Sequence, residues 1–261
     1  MDIRNEPQKY FPVPERPEMR INLLQYKPLM LSLLLAMLAE VGSLSAACDV
    51  YFITYATRDG NTGHSALAVD NYLIIVKDRI GNETIVHEYD TIKTGTLTYF
   101  DFWPEKDHFS IRNVGKDTRA KYNKLPAATY EKEISLDYIM NHGIPHIKNS
   151  PCDGILLLET SPGEDYKLIH FMDSIINLNR PFNVRKYNCS DFIRAGASYV
   201  TGMKIRANEF IPFSFSTTPN RLYKKLRSLD GIQVVLDPGK KVDGLFFKER
   251  VLEIFINRKS S

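Results

Sequence analysis

Gly63-His64-Ser65-Ala66-Leu67-Ala68-Val69 is the stretch on which the fold turns. It opens on a glycine, carries an imidazole at its first position, and continues as small and branched apolar residues, the pattern of a strand with a reactive group at its mouth. Before it stand Val50-Tyr51-Phe52-Ile53-Thr54-Tyr55, β-branched and aromatic, and a turn cluster, Arg58-Asp59-Gly60-Asn61-Thr62-Gly63. After it come Tyr72 to Val76, a Gly81-Asn82 hairpin signal and Thr84 to Tyr89. Sequential strands with short connections predict an antiparallel sheet. Strand alternation sets His64, Ala66 and Ala68 on one face and Ser65, Leu67 and Val69 on the other, and the small residues beside the imidazole leave room there for a packed helix or a substrate. Thr96 to Ile111 is expected to add a strand.

Helical periodicity takes over further along. Ala127 to Asn141 can hold one helix, and Tyr166 to Leu178 a second, with Leu168, Ile169, Met172, Ile175 and Ile176 at amphipathic spacing behind Pro162-Gly163-Glu164-Asp165. Gly154 to Glu159 reads as a buried strand between them. A linker, Pro181 to Lys186, leads into Asn188-Cys189, from which a helix runs through Val200 and stops at Thr201-Gly202. Thr217-Thr218-Pro219-Asn220 opens a helix over Arg221 to Leu229. Ile232 to Leu236 and Val251 to Ile256 read as closing strands. The class is α+β, with residues 48–261 forming one domain.

Residues 1–47 read differently, as an N-terminal extension and signal peptide. Arg20 and Lys27 precede the apolar run Leu29 to Ala39, which ends at Glu40 and leads to a cleavable Ser45-Ala46-Ala47. Met19 is an alternative start that gives a shorter basic segment. An exported protein follows, periplasmic or held at the cell envelope. Cys48 sits where a lipid-modified cysteine would lie, which makes membrane association through a lipid anchor an expectation. Three cysteines do not make a disulfide framework, and Cys152–Cys189 is the only pairing inside the mature body.

The net charge of +3 comes from 34 basic and 31 acidic residues spread without a block of one sign, which argues against a nucleic-acid partner. No phosphate loop or dinucleotide fingerprint occurs, and no cofactor is expected. His142 and His146 lie four apart, but Pro145 breaks the helix that would align them, so no metal site is expected.

The chemistry is sought at Cys189 and His64. A helix beginning at Cys189 lines up Cys189, Phe192, Ile193, Gly196 and Val200 on one face, and Gly196 allows that face to approach a sheet closely. A thiol in a helix's first turn feels the positive end of the dipole and unpaired N–H groups, which favour thiolate and can receive an oxyanion. Asp191 works against thiolate. The alternative is a silent, buried Cys189. A cysteine nucleophile needs a base, His64, and the base needs an orienting group. The strand after the hairpin offers His87, Glu88 and Asp90, with the register left open. Tyr187 and Asn188 read first as a packed aromatic and a capping residue.

Gly63-His64-Ser65-Ala66-Leu67, then Val86-His87-Glu88, then Tyr187-Asn188-Cys189-Ser190-Asp191-Phe192-Ile193, in that order, resemble the circularly permuted papain-like (NlpC-related) superfamily, which includes YiiX-type hydrolases and lecithin:retinol acyltransferase-like proteins. The resemblance covers roughly residues 50–200, and Ser216-Thr217-Thr218-Pro219-Asn220 is similar to segments that follow the cysteine helix. It implies a permuted papain-like fold with an antiparallel sheet packed against the cysteine helix, and a triad of Cys189, His64 and a polar third member for which His87 is the positional match. It also implies a thiol-dependent hydrolase that cleaves an amide bond in a cell-wall (peptidoglycan) peptide or another peptide through a Cys189 thioester. Two alternatives remain: lipid acyl transfer or ester hydrolysis by the same triad, favoured by an apolar substrate groove, and a non-catalytic envelope binding domain.

Overall fold

A computed structural model describes residues 48–58, 62–80, 85–105, 115–125, 134–144, 150–211, 214–246 and 248, with backbone alone at 78–80 and 85–89. The expected leader and cleavage site, the Gly81-Asn82 hairpin signal, His146 and the expected closing strand at 251–256 lie outside these residues.

The chain is α+β. Six antiparallel strands form the main sheet: β1 (Cys48–Tyr55), β2 (His64–Ile80), β3 (Ile85–Pro104), β4 (Ala120–Leu125), β5 (Gly154–Thr160) and β8 (Ile232–Leu236), in the order β4-β3-β2-β1-β5-β8. β1 lies between β2 and β5 and is buried along its whole length. That is why its sequence is apolar at both parities: neither face meets water.

Helices α2 (Pro162–Asn177), α3 (Cys189–Thr201) and α4 (Pro219–Arg227) cover one face. Their Met172, Phe192, Ile193 and Leu222 join Phe52, Leu67, Phe100 and Phe102 of the sheet in one core. Each such buried Leu or Phe contributes roughly 2 kcal/mol. Gly196 does what its lack of a side chain suggests. A Cβ there would stand 2.7 Å from Met172 Sδ and 3.2 Å from Leu67 Cδ1, so α3 sits tight on β2 and α2. The opposite face, with Ile53, Ala66, Ala68 and Tyr99, packs against Ile139 of the short helix α1 (Leu136–His142). α3 therefore packs on the Ser65/Leu67/Val69 side of β2, not beside Ala66 and Ala68, because only that side offers branched residues for the helix to bury.

Helix boundaries follow capping chemistry. α2 begins at Pro162, with Ser161 as N-cap in a reciprocal box with Glu164, so the Pro-Gly-Glu-Asp segment is the first turn and not its approach. α4 begins at Pro219 behind the Thr218 cap. α3 ends at Thr201, with Gly202 in the left-handed conformation. Strands β4, β6 (Asn208–Ile211) and β7 (Ser214–Thr217) are absent from the sequence reading.

β2 and β3 are far longer than expected, at 17 and 20 residues. Beyond an irregularity between Asp70 and Tyr72 they continue as a paired ribbon on which Leu73, Ile74, Val76 and Ile92 are exposed. At its base, Lys93 bridges Asp49 and Asp70. Cys48 is fully buried at the head of β1, opposite Thr160.

Asp165 lies fully buried near the same cluster. Burial pushes its carboxyl up to about 6 against a hydrogen bond from Thr160 Oγ1, and the charges of Asp70 and Asp49 add to the rise. A carboxyl that holds its proton more tightly when folded makes stability decline as pH rises from the unfolded value near 4 through 6, by about 2–3 kcal/mol. Urea titrations at pH 4.5 and 7.5 should show Asp165→Asn gaining on wild type by clearly more at the higher pH. An equal difference at both values would reject the assignment.

Candidate active site

The site is assembled where β2 begins. Gly63 takes φ +69°, and a Cβ there would stand 2.6 Å from the Tyr55 carbonyl oxygen, so the chain can turn this closely into β2 only through glycine. The approach is tied down from α4. Asn220 Oδ1 accepts from Thr57 N–H at 2.8 Å, and Asn220 Nδ2 donates to the Thr57 carbonyl at 3.0 Å. His64 follows at once, 1% exposed.

Leu67 of β2 pairs with Phe100 of β3; three residues on along each strand, His64 and Trp103 stack with centroids 4.2 Å apart and planes at 22°. Between these levels Asp101, fully buried, turns Oδ2 to within 3.6 Å of His64 Nε2. Asp101 is itself held by donors: Tyr99 Oη to Oδ2 and Asn123 Nδ2 to Oδ1. Nε2 of His64 thus faces a carboxylate.

The expected third member is corrected here. The backbone of His87 pairs with Asp78, fourteen residues along β2 from His64, about 45 Å at strand rise. Glu88 pairs with Lys77 and Asp90 with Ile75, and Asp90 forms an exposed ion pair with Lys77 at 2.9 Å. None of the three reaches the imidazole. Asp101 is the carboxylate beside the imidazole because β2 and β3 run as one long ribbon, so the residues nearest the turn are those farthest from His64.

Cys189 arrives from the helix side, half-buried as the first residue of α3. Asn188 is the N-cap: its Oδ1 accepts from Ser190 N–H at 2.8 Å and Asp191 N–H at 3.2 Å. Its Nδ2 donates to the carbonyls of Val184 and Thr217 and to Ser216 Oγ, which locks the start of the helix to the β7 strand. Asp191 returns the capping bond to Asn188 N–H and pairs with Arg194. Phe102 of β3 packs its ring against Tyr122, Phe182, Tyr187 and Phe192, fixing the helix start over the sheet. Ser65 Oγ and Ser190 Oγ meet at 3.0 Å across the same junction.

Cys189 and His64 thus line one cleft, together with Gly63, Asn188 and Trp103. Its remaining wall is largely apolar: Phe102, Phe182, Val184, Ile211 and Phe246. Cys152, buried, and Cys189 are both free thiols, so Cys189 is not tied to Cys152. His142 stacks on Tyr138.

The electrostatics differ from the helix-start expectation. Burial pushes the Cys189 thiol up to about 11; the Ser65 and Ser190 backbone N–H groups pull it down, and Asp191 adds to the rise. Two first-turn N–H groups are taken up by the Asn188 cap, which blunts what the helix end offers a thiolate. A thiol raised in this way is protonated near neutral pH, and for it to act as a nucleophile a base would have to take its proton. Iodoacetamide alkylation of Cys189 should climb steadily from pH 7 toward 10. A plateau between pH 5 and 7 would instead indicate a preformed thiolate–imidazolium pair.

No family model, no curated protein and no solved structure matches this chain. The reading of the site therefore rests on its own geometry.

Proposed function

We propose that this chain is an exported, thiol-dependent hydrolase of permuted papain-like type in which Cys189 is the nucleophile, His64 the general base and acid, and Asp101 the group that orients His64. The observation that carries the reading is the shared cleft: a helix-start thiol and a strand-start imidazole, distant in sequence, form walls of one cavity, with a buried carboxylate behind the imidazole. His64 takes the thiol proton as Sγ attacks a carbonyl carbon. The bond to the leaving nitrogen or oxygen breaks as His64 returns that proton, and water then hydrolyses the thioester. An amide bond, in a cell-wall peptide or another peptide, is the first substrate class.

The apolar wall beside Cys189 favours the second reading, in which the acyl part of the substrate is itself apolar, as in lipid acyl transfer or hydrolysis. A non-catalytic binding domain would leave Cys189 silent. The deciding experiment is mass spectrometry of the protein quenched in acid during incubation with an activated hexanoyl ester. A hexanoyl adduct on Cys189 that forms and decays is the expected result, and persistent absence of any adduct, with no turnover, overturns the proposal.

A further inference from the structure

The room beside Cys189 is small. The apolar cleft that Cys189 and His64 line has a volume of about 30 Å³. An adjoining cleft, which shares His64 and Trp103 with it but not Cys189, has about 260 Å³. A benzene-sized guest fills an apolar cavity of about 150 Å³, so the Cys189 cleft takes a methyl or ethyl group and little more. Its apolar wall is built in two ways. Phe102 and Phe182 belong to the main core, and Val184 packs against it. Phe246 and Ile211 form a small cluster of their own, on which Val184 also packs. Phe246 comes from beyond Val242, the last residue to enter the main core among those described. Two long-range bonds carry the chain from there to the cleft: Asn220 Nδ2 donates to the Gly244 carbonyl at 2.8 Å, and Phe246 N–H donates to Glu209 Oε1 at 2.7 Å. Glu209 is itself buried, and its other oxygen accepts from Thr218 Oγ1, the α4 cap, at 2.6 Å. β6 and α4 thus fix the backbone of a phenylalanine whose ring serves the cleft wall and not the main core.

Attack by sulfur requires the substrate's carbonyl carbon to stand at Cys189, so the carbons attached to it are the ones that meet the apolar wall. We infer that Phe246 sets the size of the acyl group, and that the Cys189 cleft selects a short one, acetyl or propionyl, over a longer chain. The inference rests on the hydrolase reading above and adds to it the dimension of the substrate's acyl half, which is apolar and short. A longer chain meets the Phe246 ring or turns out into water. In neither case does burial of the extra carbons help the transition state. A hexanoyl group still reaches the sulfur, because Cys189 is only half-buried, but its tail stays outside the cleft. The limit falls on the acyl side alone, since the adjoining cleft has several times the volume.

The test compares kcat/KM for the 4-nitrophenyl esters of acetate, butyrate and hexanoate, with spontaneous hydrolysis subtracted. Wild type should be fastest on acetate, with hexanoate slower by about fivefold or more. Phe246→Ala should reverse that order. Each methylene newly buried speeds the reaction by about fourfold, so the hexanoate-to-acetate ratio should rise by about tenfold or more. Phe246→Leu, which keeps more of the contact with Ile211, should fall between and serves if the alanine variant is unstable. A ratio of two rates on one preparation does not depend on how much of it is folded, so lost structure would not imitate the shift. A wild-type rate that climbs with chain length, or a ratio left unchanged by both substitutions, overturns the inference while leaving the hydrolase intact. If wild type turns over none of the three and no acyl group reaches Cys189, the hydrolase reading falls first and this one with it.

Discussion

Cys189→Ala is expected to reduce ester and amide turnover to background, a loss of about 10⁴-fold or more, while the thermal transition moves by only a few degrees. The argument for a large catalytic and a small structural effect is one of position. The Cys189 sulfur borders the cleft and is half-buried, whereas the residues that hold α3 to the sheet are Phe192, Ile193, Gly196 and Ala197. Removing one sulfur from a cavity wall costs about 1 kcal/mol, but on the proposed mechanism it removes the covalent route. Cys189→Ser should be nearly as inactive, because a hydroxyl in a pocket that already resists thiol ionisation is a poorer nucleophile still. Full activity in Cys189→Ala, measured on the same esters, would show that the cleft hydrolyses without its thiol and would end the nucleophile assignment.

The second large effect is expected at Asp101. Asp101→Asn keeps the side chain's shape but exchanges one acceptor oxygen for a donor beside Tyr99 Oη, Asn123 Nδ2 and His64 Nε2. On the proposed mechanism the imidazole loses the carboxylate that orients it, so kcat should fall by about 10²- to 10⁴-fold with KM little changed. Fluorescence of Trp103, the single tryptophan, offers a control that its stacking on His64 persists. His87→Ala, by contrast, should leave turnover at the wild-type level, since its backbone lies opposite Asp78, far out on the ribbon. A result with the two reversed, Asp101→Asn active and His87→Ala dead, would refute the register on which the site is built.

That reversal of expectation shows where the sequence was legible. A strand period and a glycine were enough to put His64 at the head of β2, and an Asn-Cys pair ahead of a 3.6-residue pattern was enough to start α3 at Cys189. The capping role of Asn188 was likewise readable, because an asparagine with an acid three residues on is a local signal. Asp101 had a signal too. A single unbroken ladder running back from Ile80 opposite Ile85 would carry Asp101 to a place opposite His64, and the irregularity at Asp70/Tyr72 displaces that by two positions to Trp103. It was obscured because the apolar run breaks at Lys77-Asp78-Arg79, so the sequence reads as several short strands where the chain forms two long ones.

What residue order determined by itself is the set of local elements: each depends on neighbours a few positions away, through side-chain period, turn residues and caps. Which face of β2 the cysteine helix covers, which carboxylate stands behind the imidazole, and how burial sets the thiol's acidity came only with the tertiary structure. Those are sums over groups brought together by strand register and packing, and register depends on the whole length of a ladder, so a bulge at one point re-aims residues many positions away.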